Sequence, residues 1–495
     1  MKLPQAASVV TESNPSKSGG VVNMDPKQIE EIVKQIVLQL NGNDHSALDQ
    51  KINTEKGNYG VFPTLDGAVA AATKAQKQIR SVALRDEMIT AIRRMAKKHA
   101  QELSEMAVEE TGFGRVEDKI KKHILVSQRT PGTEILSPQA ASGDMGMSLM
   151  ENAPWGVIAS VTPSTNPSCT VINNAISMIA GGNAIVFAPH PAAKKVSQYA
   201  IQLVNKACES VGGPNAICTT VETPSLENAE ALFVYPGIHL LVVTGGDAVV
   251  DAARRVTDKR LIAAGPGNPP VVVDETADIE RAAVSIVQGA SFDNNIVCAT
   301  EKEIIAVDVI ADDLKAAMCR NGAHLLTLDE AEAIAKVVLK GYPGDKPSAN
   351  PQWVGRDASK LAAAAGIEVP EEIRLLIFEA EKSHVFAVTE QMMPILPLIR
   401  AANADQAIDW AVELENKNRH TAAIHSKNID VLTRMAYEMD CSLLAKNGPS
   451  IAAIGAGGEG WTTMTISTPT GEGVTNALTF TRKRRCTAVN SFRIV

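Results

Sequence analysis

In the stretch 155–246, WGVIASVTP (155–163), AIVFAP (184–189), ICTTVE (217–222) and HLLVVTGG (239–246) stand as four short apolar runs, each followed by a helical pattern such as PAAKKVSQYAIQLVNKACES. Runs of this length, bounded by turn residues, read as strands buried on both faces. Strand and helix in repeated alternation predict an α/β fold: a mostly parallel sheet, helices on both its faces, and ligands at the carboxyl ends of the strands. LIAAG (261–265) adds a fifth run. EIIAVDVI, RLLIFEAE, LPLIRAAN and HTAAIHS repeat the pattern further on, which places a second α/β unit over about 271–450 and a cleft between the two.

On the N-terminal side of these runs the chain reads as helix from 61 to 123, with periodic Ala, Leu, Ile and Met and a stop at Gly112. On the C-terminal side, WTTMTISTPTGEGVTNALTFTRKRRCTAVNSF is rich in Thr and Val and reads as β structure, an edge suited to assembly. Residues 1–23 are rich in Ser, Pro, Gly and Asn without an apolar period and read as a disordered extension. The pattern then changes within 24–42. Asp25 can cap a helix with Pro26 at its first position, and Ile29, Ile32, Val33, Ile36, Val37 and Leu40 form one apolar stripe. Residues 43–58 are polar and aperiodic and read as a flexible linker. So short a helix is marginal alone in water, so its stripe needs a partner. Pattern alone leaves open whether that partner is a groove on another protein or the helix's own domain.

Composition narrows the function. The 495 residues are 45% hydrophobic and 21% charged, as in globular proteins. The net charge of -8 is opposite to what a sequence-independent nucleic-acid binder needs. No run approaches the ~20 apolar residues of a membrane span, and the start lacks a secretory pattern, so the expectation is a cytoplasmic protein without membrane or nucleic-acid partners. The seven cysteines are scattered, with no CxxC pair and no His at finger spacing, which argues against a metal site or a disulfide framework. A catalytic thiol among them must differ from ordinary buried ones.

Cys298 is the candidate. It lies in GASFDNNIVCATEK, between a helical pattern ending near Gly289 and the strand EIIAVD, a junction where a thiol can be partly exposed and its thiolate stabilised by neighbouring donors. TPSTNP (162–167) closes the first strand run, and its Asn166 can offer an amide N–H to an oxyanion. Gly245 and Gly246 stand between a strand and a helix, where backbone N–H groups can receive a phosphate. Without a GxGxxG pattern, such a Gly pair reads more often as turn residues than as a dinucleotide site.

SVTPSTNP, INNAIS, FAPHPAAKKVS, AGPGNPPVVVDETAD, GASFDNNIVCATEK, MMPILP, KNGPS and GGEGWTTMTISTPTGEG occur in this order. From about residue 59 to the C-terminus the chain thereby resembles the CoA-acylating aldehyde dehydrogenases of bacterial microcompartments. The resemblance implies a cofactor-binding domain (59–270), a catalytic domain (271–464) and a β oligomerisation arm built near 131–150 and from the tail 465–495. It implies oxidation of acetaldehyde to acetyl-CoA with NAD and coenzyme A, within the lumen of a microcompartment in ethanolamine-type metabolism, by a homo-oligomer. Cys298 would be the nucleophile and Asn166, or the neighbouring Thr165, the oxyanion donor. NAD would contact Thr162, Pro163, Ser164, His190, Thr244, Gly245, Gly246 and Gly265. Glu390 would meet the nicotinamide ribose, where the plainer reading is a surface carboxylate. The helix at 25–40 is similar to the segments that package such enzymes, which implies shell proteins or other cargo as partners. Members of the family usually begin near the position of Met24, so 1–23 is expected to be an upstream extension.

An absence carries as much as these presences. Hydrolytic relatives hold a Glu base in an ELGG-type segment, whereas AAGPGNPP (263–270) has no carboxylate. Water attack on a thioester then lacks the ~10²–10⁴ of general-base catalysis, while a thiol acceptor, ionising near ~8.5, suffers less. Pro266 and LLAKNGPS depart from the family pattern at the cofactor loop and the aldehyde pocket. FAPHPAA lacks the ribose-binding Lys and Glu of hydrolytic relatives, which leaves NAD against NADP open. Propionaldehyde as substrate is the alternative within the same chemistry, and a non-catalytic cargo or scaffold protein the alternative outside it. His384, His420 and His425 are the titratable candidates for a base toward the CoA thiol.

Overall fold

The computed structural model describes residues 58–494 apart from residue 345. The expected extension (1–23), amphipathic helix (24–42) and linker up to residue 57 lie outside the described residues.

The first lobe is built on a six-stranded sheet in the order Val61–Phe62, Cys218–Val221, Ala184–Pro189, Val157–Thr162, Leu240–Thr244 and Arg260–Ala264. All its pairings are parallel. The five apolar runs of this region form five of these strands because both faces are covered, and Ala184–Pro189 is buried at every position. Pro167 sits at the start of Pro167–Ala180, a helix buried all round whose residues pack under the sheet. The chain leaves Val157–Thr162 toward Ala184–Pro189 on one side and later adds Leu240–Thr244 on the other. This reversal creates a topological switch point between the carboxyl ends of Val157–Thr162 and Leu240–Thr244, the place where such sheets bind ligands.

The helical reading of 61–123 needs two corrections. Val61–Phe62 is an edge strand, pairing Val61 with Thr220, because the Tyr59–Gly60 turn directs it onto the sheet before Thr64 caps the helix Leu65–Gln76. Three further helices, Val82–Lys98, Ala100–Thr111 and Val116–Arg129, follow. Gly112, at φ 69°, ends the third of the four by a left-handed cap, and the last runs beyond His123 to Arg129. Its inward face includes Asp118, Lys119, Lys122, His123 and Val126, a helical stripe in which charged residues occupy core positions.

The second lobe carries a seven-stranded sheet in the order Ala323–Leu326, Leu375–Glu379, Ile395–Ala401, Glu303–Val307, Pro270–Val273, Thr421–His425 and Leu443–Lys446, again wholly parallel. Side chains divide between its faces with the strand period of two. Val271, Val273, Ile304 and Ala306 join one core cluster, and Val272, Ile305, Ala422 and Ile424 join the cluster on the opposite face. Pro270–Val273, Ala323–Leu326 and Leu443–Lys446 escaped the strand reading.

Gln139–Gly143, Gly146–Pro154 and Thr481–Val489 form a separate antiparallel sheet, with Thr481 opposite Pro154 and Val489 opposite Gly146. Of the tail, only this strand belongs to that sheet. Residues 465–480 fold back onto the body, where Ile466–Ser467 pairs with Gly473–Val474, Ile466 joins Val297 and Leu443 of the second lobe, and Ala477 and Phe480 enter the first lobe's core. Residues 131–138 precede the arm and include a 3₁₀ turn at Thr133–Ile135.

Candidate functional site

Cys298 lies between the helix Ile279–Ser291 and the strand Glu303–Val307, at the end of an irregular loop. Three consecutive residues ahead of it, Asp293, Asn294 and Asn295, hold φ values of 49°, 54° and 65°. Asn and Asp tolerate this region better than other side chains, but three in succession persist only if their surroundings over-determine them. They do so here. Asp293 accepts the Arg115 N–H at 2.8 Å, Asn294 donates to the Gly355 carbonyl at 2.9 Å, and Asn295 donates to the carbonyls of Ala290 and Glu301 at 2.7 and 2.8 Å.

Beyond the cysteine, the buried Lys302 ammonium reaches back to the loop. It donates to the carbonyls of Asn295 and Val297 at 3.0 and 3.3 Å and to Thr300 Oγ1 at 3.1 Å. Gln391 in turn donates to the Lys302 carbonyl at 3.0 Å, tying this loop to the segment that carries Glu390.

The residues around Cys298 come from several distant segments. Gly267 is close enough that a methyl group on its Cα would stand 2.8 Å from the Cys298 carbonyl oxygen and 2.9 Å from His420 Cγ. The Gly267 N–H donates to Glu390 Oε1 at 3.3 Å. His420 is buried, with Nδ1 at 2.7 Å from Thr421 Oγ1 and Nε2 without a protein partner. Burial drives it neutral, to a pKa of about 3. The other two histidines are engaged elsewhere. His384 caps the turn Val385–Val388 and faces Glu332 at 3.3 Å, and His425 ends the strand Thr421–His425.

Cys298 is partly exposed, as are Cys319 and Cys441, while Cys169, Cys208 and Cys218 are buried. Exposure therefore does not single it out, and neither does acidity. Burial, reinforced by the Glu390 carboxylate, pushes its thiol up to about 12, against the opposing pull of Lys302 and Lys122. The thiolate stabilisation expected from the sequence is thus outweighed in this state, first by burial and second by the Glu390 carboxylate. What marks Cys298 out is its place on the strained loop, facing Gly267 and acted on by Glu390, Lys302 and Lys122.

Asn166 begins the helix Pro167–Ala180 at the carboxyl end of Val157–Thr162, and its side chain does not cap that helix. Its Oδ1 instead accepts from the Lys122 ammonium, and its Nδ2 donates to Thr165 Oγ1 at 3.3 Å.

The other expected contacts with NAD line the carboxyl edge of the first sheet. Thr162, Pro163 and Ser164 leave one strand of the switch point, and Thr244, Gly245 and Gly246 leave the other. Thr162 Oγ1 is buried without a partner, and a side chain at Gly246 would meet open space at the start of the helix Asp247–Val256. An orphaned hydroxyl and an open helix start fit a nucleotide with its phosphates at the helix end. Thr465 supports this edge, with its hydroxyl 3.3 Å from Thr244 Oγ1 and donating to Asn174 at 3.1 Å. Gly265 packs on Pro469, and His190, one strand farther out, is exposed and accepts the Ala192 N–H at 3.1 Å. Lys119, Lys122, Gly267 and Lys302 escaped the sequence reading. For the first two a signal existed in the helical stripe Lys119, Lys122, His123 and Val126.

Residues 62–333 match the model of the aldehyde dehydrogenase family. The chain belongs to this family. It is 58% identical over 484 residues to the acetaldehyde dehydrogenase (acetylating) of Bilophila wadsworthia, an alignment covering 95% of this chain and 100% of the relative. The structure is similar to a propionaldehyde dehydrogenase from the fucose utilisation microcompartment of Clostridium phytofermentans, with a TM-score of 0.86 and 47% identity over 88% of this chain and 100% of that one. It is equally similar, at a TM-score of 0.86 and 44% identity over the same shares, to a propionaldehyde dehydrogenase of Rhodopseudomonas palustris solved with bound CoA and an acylated cysteine.

Proposed function

We propose that the chain oxidises acetaldehyde to acetyl-CoA with NAD+ and coenzyme A through a thioester on Cys298. One observation carries this reading. The segment that approaches Cys298 from the first lobe does so through Gly267, and residues 263–270 contain no carboxylate to activate water. A thioester formed there has no base from that segment for hydrolysis, whereas a thiol acceptor needs less assistance.

In this reading Cys298, having lost its thiol proton to solvent, attacks the aldehyde carbon as the thiolate, and the carbonyl oxygen that gains the charge faces the Asn166 amide. A nicotinamide cofactor at the switch point would supply the hydride acceptor that converts the thiohemiacetal on Cys298 into its thioester. Thr162 and the Gly245–Gly246 turn would hold the dinucleotide, and Glu390 its nicotinamide ribose. The CoA sulfur then attacks the acyl carbon, and Cys298 leaves as the thiolate. His420 packs beside this site with a nitrogen that has no partner among the described residues, but burial holds its ring at a pKa of about 3, too weak a base for the CoA proton, which leaves to solvent.

The aldehyde is assigned from the relative of highest identity described above. Propionaldehyde is the second reading, supported by the names of the two solved structures. The same likeness supports a place in a microcompartment lumen, with shell proteins or other cargo reached through 25–40. Assembly as a homo-oligomer is supported by the largely exposed edge strand Thr481–Val489.

The test is NADH formation from acetaldehyde and NAD+, with and without coenzyme A, with identification of the acyl product. The reading requires CoA-dependent acetyl-CoA. Free acetate formed without CoA overturns the acyl-transfer assignment, and no turnover with either aldehyde and either nicotinamide cofactor returns the weight to a scaffold. A higher kcat/KM for propionaldehyde selects the second reading.

A further inference from the structure

Two lysines and one aspartate lie buried between the nucleophile loop and the Asn166 loop, and the reaction as written above does not use them. Lys119 and Lys122 are on the inward face of the helix Val116–Arg129, and Asp293 is the first of the three left-handed residues leading to Cys298. The side chains of both lysines are 3% exposed and that of Asp293 is 0% exposed. Lys119 Nζ lies 3.2 Å from Asp293 Oδ2 and donates to the Thr165 carbonyl at 3.3 Å. Lys122 Nζ contacts both Asp293 Oδ2 and Asn166 Oδ1. Two cations thus share one carboxylate, an arrangement that burial ordinarily penalises and that stability alone does not explain.

The chemistry of the Lys122 contact restricts Asn166. An ammonium has donors and no acceptor, so it can face only the oxygen of the amide. The amide nitrogen is thereby fixed on the other side, with one N–H on Thr165 Oγ1. The other N–H has no protein partner among the described residues. Without Lys122 the amide can turn over and present its oxygen, which repels a developing negative charge. The same ammonium spans the lobes, joining Asp293 of the catalytic loop to Asn166 of the cofactor side, so that donor and nucleophile are held in one register.

We propose that Lys122, anchored on Asp293, is a positioning residue for acyl transfer that fixes the Asn166 amide as oxyanion donor to the group carried by Cys298. The proposal rests on the reading of Cys298 and Asn166 given above. Lys119 serves as the second anchor, holding the Thr165 backbone against the same carboxylate.

A double-mutant cycle on the full chain tests it, with kcat and KM measured for acetaldehyde, NAD+ and CoA in wild type, Lys122→Met, Asn166→Ala and the double variant. Lys122→Met leaves the Lys119–Asp293 pair balanced, so folding is expected to survive, and thermal unfolding checks this. If the protein does not fold, Lys122→Gln takes its place. Asn166→Ala is expected to lower kcat by ~10²–10³-fold. Lys122→Met is expected to lower kcat by at least ~30-fold with KM for the aldehyde changed less than ~3-fold, and to lower it by less than ~3-fold once Asn166 is already Ala. Losses that multiply undiminished, or a Lys122 variant with wild-type kcat, overturn the proposal alone. Full turnover by Asn166→Ala removes the oxyanion assignment and the proposal with it.

Discussion

The Cα of Gly267 faces the carbonyl oxygen of Cys298 so closely that a Cβ there would stand 2.8 Å from it, a separation real side chains do not adopt. The segment without a carboxylate is therefore also the segment against which the nucleophile loop rests.

Gly267→Ala should accordingly displace Cys298 or His420, which a Cβ would meet at 2.8 and 2.9 Å. Overpacking of this kind typically lowers stability by about 1–3 kcal/mol. A shift near 1 Å at the reacting atom can lower the rate by ~10²-fold. The expected outcome is a folded enzyme with a lowered melting temperature and a kcat reduced far beyond what that loss explains, measured by calorimetry and NADH formation.

Glu390→Gln should make the Cys298 thiol more acidic. The Glu390 carboxylate, second to burial, raises the thiol to about 12, so removing its charge favours the thiolate. The rate of alkylation of Cys298 by iodoacetamide, followed against pH without cofactor, is expected to rise at a lower pH in the variant. An unchanged profile would mean that the carboxylate does not act on the sulfur.

Lys302→Met should loosen the loop that carries the cysteine. The ammonium satisfies the carbonyls of Asn295 and Val297 and the Thr300 hydroxyl, all within the interior. Each buried acceptor left unsatisfied costs ~1–3 kcal/mol. Hydrogen exchange is expected to accelerate over residues 293–302 while the six-stranded sheet stays protected, and turnover is expected to fall with it.

Glu301 gives stability a pH dependence of definite sign. Its carboxyl is buried, accepts the Ser450 N–H at 2.7 Å, and is pushed by burial from an ordinary 4.5 up to about 7. The folded state thus binds the proton more tightly than the unfolded chain. This contribution to stability is complete below pH 4.5 and is lost as pH rises through about 7. Glu301→Gln, which keeps an acceptor for Ser450 and never ionises, is expected to match the wild type near the acid end. It should gain on it by about 1 kcal/mol per unit across that window. Melting curves at several pH values read the gap, and one that does not widen toward alkaline pH rejects the assignment.

The sequence by itself determined the two α/β lobes, because WGVIASVTP, AIVFAP and HLLVVTGG each bury both faces and so show as continuous apolar runs. It also determined the candidate nucleophile, since GASFDNNIVCATEK places Cys298 at an element junction and its resemblance to a family names its role. Pro270–Val273 was not legible, and pairing with Glu303–Val307 and Thr421–His425 places it at the centre of the second sheet. Only the tertiary structure decided what surrounds Cys298. Lys122 and Gly267 come from segments far from Cys298 in the chain, and nothing in the sequence marks them as its neighbours; Glu390 was named from the resemblance and His420 as a titratable candidate, but their contact with Gly267 beside Cys298 exists only in the fold. Local pattern reports how one element sheds water. Charge and hydrogen bonding at the site depend on distances across two lobes, which exist only once both sheets have formed.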